Sequence, residues 1–248
     1  MSDTINLKTS QDSHTQVKDY FNSQWQVYQK IIFNNYMGHR EVYGVLHDLM
    51  ISYFDKEFQM LELGCGDASF TAPALLNTTI TSYKGIDLSE VALEIARSNM
   101  EVIQCEKTFI NGDIYELIPQ LVKSKEYRFD AIFTSFALHH LTLEKKDDII
   151  GQLRHLLKDR GIFILIDVMR PEEESREAYV RRYIENISRD WKTLTPQEFT
   201  DVAEHISSKD LPETRSIFYE IAQKYQFSRW DCLYGDPLDT TQLLCFYR

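Results

Sequence analysis

The run Met60-Leu61-Glu62-Leu63-Gly64-Cys65-Gly66-Asp67 ends an apolar stretch in a carboxylate and follows it with a glycine-rich turn. Glycines there let the chain turn tightly and let a ligand lie against bare backbone. A dinucleotide site would want a third glycine three residues on, next to a pyrophosphate. Ser69 stands at that position, and Asp67 in the turn would repel phosphate. Two acidic groups suit a cofactor that lacks phosphates and carries an ammonium. Asp87 and Asp113 add two carboxylates further along. Asp87 can accept from a pair of neighbouring hydroxyls, or serve the start of a helix with Ser89 and Glu90. Asp113 can accept from an amine, cap the helix that begins at Ile114, or do both.

These residues need elements to hold them. Phe58–Leu63, Tyr83–Ile86, Thr108–Ile110, Phe129–Phe133 and Ile162–Val168 read as strands. Helical stretches at Ser69–Leu76, Glu90–Asn99, Ile114–Val122 and Lys145–Leu157 alternate with them. Such alternation implies βαβ units and a parallel sheet covered on both faces, with ligands at the carboxyl ends of the strands. After residue 170 the alternation stops. Glu172–Trp191, Pro196–Ile206 and Leu211–Gln223 read as helices, and Phe227–Leu233 and Gln242–Phe246 as two final strands around a Gly235-Asp236-Pro237 turn. The expected organisation is a flexible leader over 1–15 and a single domain over 16–248. Within it lie a helical cap (16–56), a cofactor-binding core (57–170), a helical insertion (171–225) and the last two strands (226–248).

In this order the motifs resemble those of the class I S-adenosylmethionine-dependent methyltransferases. Glu62-Leu63-Gly64-Cys65-Gly66 is similar to the family's first motif, and Gly85-Ile86-Asp87-Leu88-Ser89 to the end of its second strand. Asn111-Gly112-Asp113-Ile114 is similar to the turn after the third strand. Phe129-Asp130-Ala131-Ile132-Phe133, with Thr134 and Ser135, is similar to the fourth strand and its end. Leu156 to Gly161, followed by Ile162–Asp167, resembles the helix, turn and fifth strand. The resemblance covers residues 58–170 well and the last two strands more loosely. It implies a Rossmann-like seven-stranded sheet, mostly parallel with an antiparallel last strand, and S-adenosyl-L-methionine as cofactor. It implies cofactor contacts by Glu62, Gly64, Cys65, Gly66, Asp87, Leu88, Asp113 and Ile114, with Thr134 near the methionine end. The implied activity is methyl transfer to an oxygen, nitrogen or carbon of a small molecule.

Ala137-Leu138-His139-His140-Leu141 follows the fourth strand, and the resemblance sets it beside the methionine end. A neutral imidazole there could take the acceptor's proton. His140 is favoured slightly over His139, and Asp167 could orient the ring or hold the acceptor. Either histidine could instead only brace the loop. Two adjacent histidines with no third ligand at suggestive spacing make no metal site. The N-terminal stretch carries Tyr20, Phe21, Trp25, Tyr28, Phe33 and Tyr36, then His39 and Arg40. Aromatic faces suit a sulfonium, although such residues also simply pack. Tyr28, Tyr36 and His39 are expected to face the pocket, Tyr28 toward the cofactor and Tyr36 and His39 toward the substrate. Arg170, Arg176, Tyr179, Arg182, Tyr183 and Trp191 offer a second wall, with Arg170 a candidate for the acceptor.

Composition narrows the classes. Of 248 residues 43% are hydrophobic, enough for a core. Lys and Arg number 27 against 38 Asp and Glu, a formal charge of −11, which argues against a sequence-independent nucleic-acid binder. Apolar runs such as Ile162–Ile166 are too short to span a bilayer, and residues 1–15 lack a signal-peptide pattern. Cys65, Cys105, Cys232 and Cys245 are scattered, which points to a reducing cytoplasm. The expected partner is a small-molecule substrate, with no nucleic acid and no membrane; oligomeric state is left open. Two rival readings are an RNA or protein methyltransferase and a catalytically silent cofactor-binding partner protein.

Overall fold

The computed structural model describes residues 26–125, 127–238 and 240–248. The expected leader and the aromatic residues Tyr20, Phe21 and Trp25 lie outside them. Helix α1 covers 26–33 and α2 His39–Tyr53. Then follow β1 (Phe58–Leu63), α3 (Thr71–Ala74), β2 (Ile80–Asp87), α4 (Glu90–Asn99), β3 (Glu106–Asn111), α5 (Ile114–Ser124) and β4 (Phe129–Ser135). The chain continues through α6 (Leu143–Leu156), β5 (Leu157–Val168), α7 (Arg176–Asp190), α8 (Pro196–Lys209), α9 (Arg215–Lys224), β6 (Arg229–Gly235) and β7 (Thr241–Tyr247).

The seven strands form one sheet in the order β3-β2-β1-β4-β5-β7-β6. Every pair from β3 to β5 is parallel, and β7 runs antiparallel to both β5 and β6. This is the Rossmann-like sheet the resemblance implies. Strand order reverses between β1 and β4, so the chain leaves these neighbours in opposite directions and opens a crevice above their carboxyl ends.

Side chains of β5 alternate between two cores. Ile162, Ile164 and Ile166 join Val42, Leu46 and Met50 of α2 on one face. Phe163 and Leu165 join Ile149 and Leu153 of α6 and Phe218 of α9 on the other. A third, separate cluster packs Val27 and Ile31 of α1 against Tyr179, Tyr183 and Ile187 of α7, Trp191, and Ile206 of α8. That cluster roofs the crevice. The Lys30 ammonium also meets Glu198 Oε1 at 2.5 Å, tying α1 to α8.

Several boundaries differ from those read in the sequence, each for a local reason. Helix α3 is reduced to Thr71–Ala74 because Ala68, at φ +53°, and the turn around it keep the first-motif loop open. Ser175 caps α7 and Thr214 caps α9, so both begin after the charged or extended residues that precede them. Leu157 belongs to β5; register slips between Phe129↔Leu157 and Ala131↔Ile162, and Arg160 takes a left-handed φ of +65°. Among the described residues no helix is long and apolar enough to cross a membrane.

Candidate functional site

Beyond β1 the chain turns through Gly64 (φ +67°) and Gly66 (φ +53°), left-handed conformations that favour glycine. The Gly64 and Cys65 N–H groups donate to Ile86 O at 2.8 and 3.0 Å. A Cβ on Gly64 would sit 2.9 Å from that of Ala137, so this loop and the loop after β4 touch at bare backbone. Gly66 N–H donates to Asp87 Oδ2 at 2.8 Å and Ser89 N–H to Asp87 Oδ1 at 2.8 Å. A carboxylate offers about four lone-pair sites, so Asp87 keeps acceptor capacity beyond these backbone donors. Ser89, rather than Asp87, caps α4. Burial raises the Asp87 pKa.

Glu62 stands behind this loop. It is 1% exposed and accepts hydroxyl hydrogen bonds from Thr71 at 2.7 Å and Tyr83 at 2.5 Å. Burial pushes its carboxyl up to about 8. Thr134 is also buried and donates to Leu63 O at 2.9 Å, pinning β4 to β1. The Cys65 thiol is buried, and a Cβ on Gly85 would meet its Sγ at 2.9 Å. Asp113 caps α5, accepting from Tyr115 N–H at 2.8 Å, with half-buried Ile114 opening that helix.

A cavity of about 620 Å³ opens above these strand ends. Asp87 and Leu88 line it on the sheet side, Leu88 being 73% exposed, and Val27, Tyr28 and Ile31 of α1 line it from above. Burial, with Asp67, Asp87 and Glu62 nearby, raises the Tyr28 phenol and keeps it neutral. Tyr183, Trp191 and Ile206 complete the apolar wall. Glu62, Gly64, Cys65, Gly66, Thr134, Asp113 and Ile114 are not among the lining residues; of the expected cofactor contacts, Asp87, Leu88 and Tyr28 are.

Besides Asp87, Ser89 and Glu90, the polar lining includes His139, His140, His205 and Asp210. The His139 ring meets Asp167 Oδ1 through Nδ1 at 2.5 Å, and its backbone N–H donates to Asp167 Oδ2 at 3.0 Å. Asp167, at the end of β5, is therefore an orienting carboxylate. Burial works to lower the His139 pKa, and the Asp167 charge and hydrogen bond override it, so the net direction is up. Burial beside His139 and His205 takes His140 down to about 3. Burial lifts Asp210 to about 6. The imidazole with a built orientation is thus His139, one residue before the histidine favoured on sequence. Asp210 joins the histidine pair in space: one donor atom each from His139, His140 and Asp210 lie within 4.8 Å of one another. Spacing carried no sign of this, since Asp210 and His205 are some seventy residues away in the insertion. Only folding of α8 back over the sheet brings them in.

The three substrate candidates lie elsewhere. Tyr36 stacks on Trp191 (5.0 Å between centroids) and its hydroxyl is held by Thr193 Oγ1 at 2.9 Å, lining a second, smaller cavity. Arg170 is turned toward Glu174 O at 2.7 Å and Glu213 at 3.9 Å. His39 is buried against Phe136 and Phe70, ring centroids 4.7 and 5.2 Å apart, one layer behind the lining. Of the second-wall residues, Tyr183 and Trp191 do line the cavity, Arg182 pairs with Glu174 at 2.8 Å, and Arg176 braces the Asp210 backbone.

Residues 61–163 match a family described as a methyltransferase domain. An uncharacterized methyltransferase of Staphylococcus carnosus is 30% identical over 175 residues, 69% of this chain and 76% of that protein. A ubiquinone biosynthesis O-methyltransferase of Dinoroseobacter shibae is 24% identical over 186 residues, 71% of this chain and 70% of its own length. Among solved structures, magnesium protoporphyrin IX methyltransferase from Synechocystis PCC 6803, with bound SAH, superposes with a TM-score of 0.64 at 18% identity, over 95% of this chain and 99% of that one.

Proposed function

The chain belongs to the class I S-adenosylmethionine-dependent methyltransferases, and we propose that it methylates an oxygen or nitrogen of a small molecule held among His139, His140 and Asp210. The observation that carries this reading is the single cavity that joins Asp87 to the histidine cluster. The residues present fit the cofactor. The Gly64-Cys65-Gly66 turn is tied to Asp87 through the Gly66 N–H, Asp87 lines the cavity as an acceptor, and Leu88 presents exposed apolar surface beside it. The Tyr28 ring suits a cation. When bound, S-adenosylmethionine supplies a sulfonium-activated methyl group as electrophile.

The protein's own contribution is positioning and exclusion of water. Helices α1, α7 and α8 roof the cavity with apolar side chains, so an acceptor meets few polar groups outside the histidine cluster. About 620 Å³ lies within the range of small-molecule sites, and a formal charge of −11 disfavours a polyanion. An acceptor with an ionisable hydroxyl or amine suits a cluster of imidazoles and carboxylates.

The test incubates the purified protein with methyl-labelled cofactor and, separately, a small-molecule extract, RNA and protein. Label appearing in the small-molecule fraction is the expected result. Label in RNA or protein would move the acceptor to the rival class. Tight cofactor binding with no labelled product would make the chain a silent partner.

A further inference from the structure

We propose that His139, His140 and Asp210 bind a first-row divalent transition metal, with an open coordination position that takes an oxygen of the acceptor; the acceptor's part rests on the methyltransferase reading above.

Asp210 Oδ1 lies 3.8 Å from His139 Nε2 and 3.5 Å from His140 Nδ1. These separations are long for hydrogen bonds. They are right for neighbours on one ion: with metal–ligand bonds of about 2.0–2.2 Å, adjacent corners of a tetrahedron sit about 3.4 Å apart. Asp210 is 6% exposed, and its Oδ1 has no hydrogen-bond partner. A buried carboxylate oxygen left so is unfavourable unless something positive meets it.

The surroundings also point to a ligand set. Asp167 accepts from His139 Nδ1, so the neutral ring would present its Nε2 lone pair toward Asp210. A carboxylate on the far nitrogen of a ligating histidine is the usual outer support of a metal site. His140 is held likewise by a hydrogen bond to the Lys209 backbone. Leu211 N–H donates to His139 O at 2.7 Å, Arg176 Nε donates to Asp210 O at 2.8 Å, and the buried Lys146 ammonium donates to Leu211 O. The two segments that carry the ligands are thereby locked together before any ion arrives.

Two imidazoles and one carboxylate suit zinc, iron, manganese, cobalt or nickel, whereas calcium and magnesium favour all-oxygen sets. Three protein ligands leave a position for a small molecule, and the 41% exposed His140 side chain sets that position in the cavity. A hydroxyl oxygen bound there loses its proton to solvent more readily. The oxygen then forms its bond to the methyl carbon as the carbon–sulfur bond breaks, and sulfur keeps the electron pair.

The test uses the full chain, stripped with chelator and free of cofactor. It is titrated with Co²⁺, followed by visible d–d absorption, and with Zn²⁺ by calorimetry. One ion per chain is expected. His140→Ala and Asp210→Asn should each weaken binding about 100-fold or more, and Asp167→Asn by about 10–100-fold. His140→Ala removes a partly exposed ring and keeps the test valid should Asp210→Asn unfold. Absence of binding, or equal binding by all variants, would overturn the site. Cofactor affinity measured on the same samples separates the two readings: normal cofactor binding without metal removes the site alone. Metal binding that follows the variants upholds the site even if no methyl transfer is found.

Discussion

With Gly66 N–H on one oxygen of Asp87 and Ser89 N–H on the other, this carboxylate fixes the first-motif loop and the start of α4 together. Asp87 also lines the cavity, where a hydroxyl donor would find a charged acceptor. Asp87→Ala should therefore weaken S-adenosylmethionine binding by about 1.5–3 kcal/mol, the scale for hydrogen bonds to a charged group. Calorimetry on the folded variant checks it, and unchanged affinity would remove Asp87 from the cofactor's contacts. Asp87 was legible in sequence because strand end, acidic residue and capping serine are contiguous. Glu62 was legible as a motif residue, but its burial under Thr71 and Tyr83 depends on side chains brought in from other elements. His205 and Asp210 had no local pattern at all. A donor set assembled across seventy residues leaves no spacing to read.

At the scale of elements, strands read well because a buried parallel strand is apolar along its whole length, as Ile162 to Ile166 is. Helix starts read less well, since Thr142, Ser175 and Thr214 act as caps only once the preceding backbone is extended. The contact between the first-motif loop and the loop after β4 makes Gly64 sensitive twice over. Gly64→Ala would add a methyl 2.9 Å from Ala137 at a left-handed φ of +67°. A loss of about 1–3 kcal/mol in stability is expected from overpacking and strain, with weaker cofactor binding. Thermal melts and calorimetry together report it. The roof is the other element to test. Helix α1 buries Val27 and Ile31 against α7, α8 and Trp191 without joining either sheet core. Deleting residues 1–35 should leave a folded sheet domain that has lost methyl transfer, because the cavity is no longer closed to water. Full turnover by the truncated chain would reduce α1 to packing.

Across the whole molecule, two buried groups drive stability in opposite directions as pH changes. Glu62 is raised from 4.5 to about 8 by burial, and His39 is lowered from 6.5 to about 4 by burial, both its ring nitrogens unpartnered. Below pH 4.5 Glu62 is protonated in folded and unfolded chains alike; as pH rises toward 8 only the unfolded chain releases the proton, and stability falls. His39 imposes nothing above pH 6.5. As pH falls toward 4 the unfolded chain takes up a proton that the folded chain refuses, and stability falls in that direction. The two oppose each other between 4.5 and 6.5, and above 6.5 Glu62 acts without this counterweight. His39 is common to both proteins, so Glu62→Gln should gain on the parent protein from pH 4.5 to 8, at a slope approaching about 1.4 kcal/mol per pH unit. For a chain of this size each kcal/mol moves Tm by about 2–4 °C, well within calorimetric reach. His39→Phe fills the aromatic niche of Phe70 and Phe136 with no orphaned nitrogen, so its advantage should widen only below pH 6.5. Melting curves of the three proteins from pH 4 to 9 decide both at once. A Glu62→Gln profile parallel to the parent's would mean that Glu62 ionises at its ordinary value inside the fold, and the hydroxyls of Thr71 and Tyr83 would then be holding a carboxylate rather than a neutral acid.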